Sequence, residues 1–152
     1  MQALNLPKTN LKTTNRNERT MVFDSFRRKY VTLTPEEWVR QHFVHFLTTY
    51  KAFPQGIIAN EISLELNGTK KRCDTVIYDK QARPLMIIEY KAPSVEITQE
   101  VFNQISRYNL KLKVKWLVVS NGLQHYCCKI NYENMTYTFQ PDIPSYQDLL
   151  ND

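Results

Sequence analysis

The stretch IIANEISLELNGTKKRCDTVIYDKQARPLMIIEYK, residues 57–91, decides the fold. From Ile57 the pattern has a period of two: Ile62, Leu64 and Leu66 point one way, and Glu61, Ser63 and Glu65 the other. That alternation predicts a strand. Asn67-Gly68 follows, a dipeptide suited to the positive φ angles of a two-residue hairpin loop. The chain returns as a second strand from Lys70 to Asp79 and turns near Lys80 to Arg83. It then enters Leu85-Met86-Ile87-Ile88-Glu89-Tyr90-Lys91, where four successive apolar residues predict a central strand buried on both faces. Pro93 ends that strand.

Register follows from the turns. If Asn67-Gly68 is a two-residue loop, Leu66 pairs with Thr69 and paired numbers sum to 135, so Glu61 lies across from Asp74. A second turn centred between Gln81 and Ala82 gives pairs that sum to 163, so Asp74 lies across from Glu89. Directly opposed residues share a face, with Cβ atoms about 4.5–5.5 Å apart. Three carboxylates are thus expected in a row across three strands. Like charges side by side destabilise a sheet, and a divalent cation is the simplest reason to tolerate them. Hard oxygen ligands suit Mg²⁺, which takes one or two carboxylates and keeps waters and substrate phosphate as its other ligands. Lys91, two residues beyond Glu89, leaves the same strand face and can position or activate an attacking water. The competing reading is a set of strand charges in which Lys91 only neutralises Asp74 and Glu89.

Upstream, Thr34-Pro35-Glu36-Glu37 predicts a helix start, with Thr34 as N-cap, Pro35 as first helical residue and Glu37 closing a capping box. Val39, Phe43, Phe46, Leu47 and Tyr50 form the apolar stripe of that helix. Downstream, a second helix is expected from about Thr98 to Leu110, with Val101, Ile105 and Leu112 as its buried line. Trp116–Ser120, Leu123–Ile130 and Tyr137–Gln140 read as strands, and Tyr146–Leu150 as a helical turn. The chain is therefore α/β with a mixed sheet, without the regular alternation of a dinucleotide-binding fold.

Residues 1–20 are polar and are expected to be a basic flexible arm before a single domain over 21–152, with Val22, Phe23 and Phe26 starting the fold. Net charge is +5, and residues 1–34 carry seven Lys/Arg against two acids, the whole of the excess. Such an arm suits attraction to phosphates, or is simply solvated. Cys73, Cys127 and Cys128 match neither a disulfide framework nor zinc spacing. With no apolar run long enough to cross a bilayer and no secretory leader pattern, the expectation is a cytoplasmic protein with no membrane partner.

These residues spell a pattern. Asp74 followed by Glu89-Tyr90-Lys91 resembles the signature of the PD-(D/E)XK nuclease superfamily, and Gln104-Ile105-Ser106-Arg107-Tyr108 resembles the Gln-x-x-x-Tyr element of its RecB-like branch. Together with Thr34-Pro35-Glu36-Glu37-Trp38-Val39-Arg40 and Ala92-Pro93, the run resembles the N-terminal nuclease domain of type I restriction enzyme R subunits over roughly residues 20–140. The resemblance implies a restriction-endonuclease-like core, its mainly antiparallel mixed sheet flanked by helices. It also implies Mg²⁺, replaceable by Mn²⁺, held by Asp74, Glu89 and the Tyr90 carbonyl. Lys91 would assist the water, and Gln104 and Tyr108 would orient the site. A further acid on the first helix, Glu37 or Glu36, can complete the metal site; Glu61 is the alternative from pairing. Cys73 stands where the pattern has proline. No G-x-x-x-x-G-K-[ST] run is present, so the chain lacks an ATP-driven motor.

The expected activity is Mg²⁺-dependent endonucleolytic hydrolysis of DNA. Restriction-system subunits would supply motor or specificity, and a homodimer is possible. The alternative is a non-catalytic DNA-binding or partner-docking module. His42 and His45, three apart on a helix, and the isolated His125 read as packing or surface residues. Trp38 and Trp116 read as packing residues. Lys70-Lys71-Arg72 is a phosphate-contacting patch or a solvated hairpin. Arg107, Lys111, Lys113 and Lys115 are a basic rim or a solvated run.

Overall fold

Asn67 and Gly68 both take positive φ, +53° and +74°, and close β4 (Ile58–Leu66) onto β5 (Thr69–Tyr78) in the predicted register. Leu66 faces Thr69, and the sum of 135 holds through Ile58 opposite Ile77. The computed structural model describes all 152 residues. The second turn is a five-residue loop in which the Asp79 carboxylate accepts from the backbone N–H groups of Gln81 and Arg83. A bulge at Ile77/Tyr78 absorbs the odd loop length, so β6 (Pro84–Tyr90) still pairs with sums of 163, Thr75 opposite Ile88.

Beyond β6 the chain crosses over through α2 (Gln99–Leu110), and β7 (Trp116–Ser120) docks parallel to β6. Strands β8 (His125–Asn131) and β9 (Thr136–Gln140) continue antiparallel, giving one mixed sheet in the order β4-β5-β6-β7-β8-β9. Met86, Ile87 and Ile88 are almost wholly buried because helices cover both faces at this centre.

One face packs under α1 (Pro35–Tyr50), with Val39, Phe43 and Leu47 set on Ile77, Met86, Ile88, Trp116 and Val118. Thr34 caps α1 by accepting from the Glu37 N–H at 3.0 Å. The reciprocal half of the box is not made: the Glu37 side chain turns to Arg27, Arg40 and Gln41. Tyr50, expected in the apolar stripe, lies exposed in the last turn. The other face packs under α2, with Phe102 and Leu112 on Val76, Ile87, Leu117 and Val119. The buried line of α2 is Phe102, Ser106 and Asn109, one position from the expected Val101 and Ile105, which are half-buried. Asn109 is admitted to that face because its side-chain amide donates to the Ile105 carbonyl at 2.9 Å. Cys127 and Cys128 are buried on opposite faces. The final helix, α3 (Tyr146–Leu150), returns Tyr146 and Leu149 to the α1 face.

Residues 13–32 form a separate antiparallel meander, β1 (Thr13–Arg16), β2 (Arg19–Asp24) and β3 (Lys29–Thr32). The first twenty residues, expected to be an arm, contain β1 and the start of β2 and bond to the domain at several points. Asn5 N–H donates to the Gly122 carbonyl at 2.8 Å, His125 Nε2 meets the Asn5 carbonyl, and Trp38 Nε1 donates to the Gln2 carbonyl. Gly122 has φ +85°, and Leu4 Cδ2 lies 2.7 Å from where a Cβ would stand, so any other residue would be strained here and would have to push the Leu4 side chain aside. Polar composition suggested solvation, but main-chain hydrogen bonds, which composition does not report, hold the segment. No helix is long and apolar enough to cross a membrane.

Candidate active site

Two interruptions build the site. The β4–β5 ladder skips one step, between Asn60 opposite Thr75 and Ile62 opposite Cys73, where Glu61 and Asp74 would pair. Glu61 sits there at φ +53°. Both strands change face across this step: Ile58 and Ile77 pack on the α1 side, but Leu64 and Cys73 pack on the α2 side, despite matching parity within each strand. Asp74 is released from the ladder, and its Oδ2 instead accepts the Tyr90 N–H at 2.9 Å. That bond draws it against Glu89, whose strand neighbour Ile87 faces α2.

The β5–β6 ladder ends at Thr75 opposite Ile88 and does not pair the two acids, but Asp74 and Glu89 lie side by side beyond it. Glu89 is largely buried, its side chain 13% exposed. Burial first, and then the adjacent Asp74 carboxylate, push the Glu89 carboxyl up to about 7 from an ordinary 4.5. Lys71 pulls the other way, its ammonium 2.5 Å from Glu89 Oε1. A parity count from Asp74 sends Lys71 to the opposite face; the reversal at Glu61/Asp74 brings it onto the acids. In the sequence Lys71 stands out only as part of a basic run, and nothing in its spacing reveals this contact.

Tyr90 anchors the strand end from the other face. Its hydroxyl donates to Thr75 Oγ1 at 2.9 Å, its ring packs edge-on to Phe43, and Arg40 lies over it at 5.7 Å. Thr75 donates on to Asn60, and Asn60 to Asp24. Burial drives the Tyr90 phenol well above its ordinary pKa, so the hydroxyl is a fixed donor. Lys91 directly follows β6, half-buried, its N–H donating to the Ser120 carbonyl at 2.9 Å. Its side chain forms no ion pair; the cation that neutralises Glu89 is Lys71.

Of the three candidates for a further acid, Glu61 and Glu37 are held by arginines and Glu36 is exposed. Glu61 is bridged by Arg40 at 2.5 Å and Arg72 at 2.8 Å. Burial opposes its charge, but the two guanidinium hydrogen bonds outweigh burial and hold its carboxyl below the usual range. Glu37 accepts from Arg27 at 2.6 Å and from Arg40 at 3.4 Å. With Asp24 on Arg27, these side chains form an alternating chain, Asp24–Arg27–Glu37–Arg40–Glu61–Arg72, that ties meander, α1 and first hairpin together. No group of three or more His, Cys, Asp or Glu side chains is gathered for a metal ion. The Asp74–Glu89 pair nonetheless suits a hard divalent cation, since two crowded carboxylates with one ammonium against them are what Mg²⁺ relieves.

Gln104 and Tyr108 do share one face of α2, four residues apart, but that face is exposed. They line a shallow groove with Glu100, Arg107, Leu110 and Lys111, and neither hydrogen-bonds to Asp74, Glu89 or Lys91. His42 Nδ1 bonds the Trp38 carbonyl at 2.8 Å beneath the Trp38 ring, and His125 bonds Ser120, so both are structural.

Comparison with known proteins agrees with this architecture. A fragment of a chain described as the HsdR subunit of a type I restriction enzyme from Vibrio vulnificus YJ016 superposes with a TM-score of 0.55 at 16% identity. The match covers 78% of this chain and 25% of that one. A DrdV–DNA complex determined by cryo-electron microscopy matches at a TM-score of 0.45 and 15% identity, covering 78% of this chain and 12% of that one. No protein of curated function matches. The chain thus spans about a quarter of the length of the HsdR fragment. The family model of the type I restriction enzyme R protein N terminus matches residues 35–144, from the first residue of α1 to just before α3, and the chain belongs to that family.

Proposed function

We propose that the chain is a metal-dependent nuclease domain of the PD-(D/E)XK type that hydrolyses phosphodiester bonds in DNA, with Asp74, Glu89 and Lys91 at its centre. The observation that carries this reading is the meeting of Asp74 and Glu89, two carboxylates crowded at a strand end with Lys91 one residue past it. Asp74 and Glu89, with the Tyr90 carbonyl, would hold Mg²⁺ or Mn²⁺. Bound there, such a cation polarises a phosphate oxygen and offsets the negative charge of the transition state. Asp74 is oriented by the Tyr90 N–H, and Glu89 by its strand. Lys91, free of any acid, donates to the attacking water and holds it in line with the phosphorus. One P–O bond forms to that water, the bond to the departing strand end breaks, and the water's proton leaves to solvent as the departing oxygen gains one.

Restriction-system subunits supplying motor and specificity are the partners this reading calls for. A second reading, a non-catalytic DNA-binding module, is favoured by one observation: Lys71 already neutralises Glu89. Cleavage decides between them. Purified protein should nick supercoiled plasmid with Mg²⁺ or Mn²⁺, and Asp74→Ala or Lys91→Ala should reduce the rate at least 100-fold. Metal-dependent cleavage that survives both substitutions would sink the mechanism, and binding without cleavage would establish the second reading.

A further inference from the structure

The outward face of the N-terminal meander lies before residue 35, outside the family match. Val22 and Asp24 of β2 point inward and are buried, while Met21 and Phe23 point out. Register then selects what surrounds them. Thr14 faces Met21, Arg16 faces Arg19, and Tyr30 faces Phe23. Lys12 joins this face just before β1: its carbonyl accepts the Phe23 N–H at 2.8 Å and its ammonium stands 5.5 Å over the Phe23 ring. Arg16 lies 4.7 Å over the Tyr30 ring, and Phe23 and Tyr30 pack edge to face at 5.4 Å. Lys12, Arg16 and Arg19 are exposed, and none of them forms an ion pair.

We infer that this face is a docking surface for the phosphate backbone of nucleic acid, separate from the acid pair. Three cations on one small sheet, none held in an ion pair, complement a polyanion, and Glu18 in the turn between Arg16 and Arg19 offsets only one of these charges. Two of the three are pre-positioned on aromatic rings, which lowers the entropy lost when they engage phosphate. The meander is also a rigid mount, because buried Asp24 accepts from Arg27 and Asn60, and Arg27 bonds Glu37 of α1. The inference extends the reading of the chain as acting on DNA, but it uses none of the residues assigned to cleavage.

The test measures binding of a labelled 20-base-pair duplex and the corresponding single strand in EDTA across a salt series. A triple variant, Lys12→Ala, Arg16→Ala and Arg19→Ala, should weaken binding at least tenfold at moderate salt. Each phosphate contact contributes about 0.9 to the slope of log K against log salt on duplex DNA, so the slope should become shallower by roughly 2 to 3. A control with equal charge loss, Lys51→Ala, Lys80→Ala and Lys129→Ala, should lose less than threefold. Equal losses in both variants would reduce the effect to net charge and overturn the inference. So would unchanged DNA binding by the first variant, or a loss seen only on vesicles of anionic lipid. An unaltered circular dichroism spectrum and melting temperature establish that the exposed substitutions leave the fold intact. Binding is read in EDTA and plasmid nicking is scored separately, so failure of the nuclease reading and failure of this surface give different results.

Discussion

The ammonium of Lys71 stands 2.5 Å from Glu89, on the same buried carboxylate that crowds Asp74. A side-chain cation therefore occupies the position that a divalent ion would contest. On the proposed reading, Lys71 would have to yield at least part of its contact with Glu89 for such an ion to bind.

Replacing Lys71 with Met removes the competitor. Mn²⁺ affinity, followed by calorimetric titration, should rise about fivefold or more. Without metal the variant should lose roughly 1–3 kcal/mol of stability, because a mostly buried Glu89 is left unpaired. Weaker Mn²⁺ binding in Lys71→Met would make Lys71 a support of the site instead of a competitor.

Glu89 gives the metal-free protein a defined pH dependence. Its carboxyl is held near 7 in the folded state against an ordinary 4.5, so between these values the folded chain keeps a proton the unfolded chain has lost. Stability should fall as pH rises through that window, by at most about 3 kcal/mol, and the loss should be complete above it. Asp24 and Glu61, whose carboxyls are held low, act in the opposite sense and only at more acid pH. Urea melts in EDTA at pH 5 and pH 8 should show the difference, and Glu89→Gln should abolish most of it. A slope retained in that variant assigns the proton elsewhere.

Arg40 is 4% exposed and touches both Glu37 and Glu61. Arg40→Met should cost about 3–5 kcal/mol, the usual range for removing one partner from buried ion pairs. Arg40→Lys should recover only part of this, since an ammonium lacks the fork that spans two carboxylates. A measured loss below about 1 kcal/mol would show that the chain of charges contributes little.

Gly122→Ala places a methyl group where Leu4 already sits, at a backbone angle unfavourable to alanine. A destabilisation of about 1–2 kcal/mol is expected. The Trp38 emission should shift as well, because the Gln2 carbonyl that bonds its indole belongs to the displaced segment. Unchanged emission would mean the first residues hold on without Gly122.

The sheet was legible because its turns are. Asn67-Gly68 fixes the first register locally, and the second survived a wrong loop length because the bulge at Ile77/Tyr78 absorbed the difference. Asp74 against Glu89 followed from arithmetic alone. Glu61 did not, because a non-glycine residue at φ +53° reverses the strand's face, and alternation assumes no such break. Lys71 was hidden by the same reversal. The line on α2 shifted by one because the helix buries Ser106 and Asn109, polar residues that a count of apolar positions passes over. The attachments of the N-terminal segment are not legible in its composition because they are bonds from its main chain to distant residues.

The parallel docking of β7 on β6 divides the chain by the order in which its parts can form. Strands β4, β5 and β6 are joined by short turns, so Asp74, Lys71 and Glu89 meet through contacts between near neighbours in sequence. Closing β6 on β7 requires the whole crossover through α2 first. Contacts between near neighbours carry a smaller loop-closure cost. The acid pair therefore belongs to the part of the molecule that can assemble early, and the crossover sets the pace for the rest.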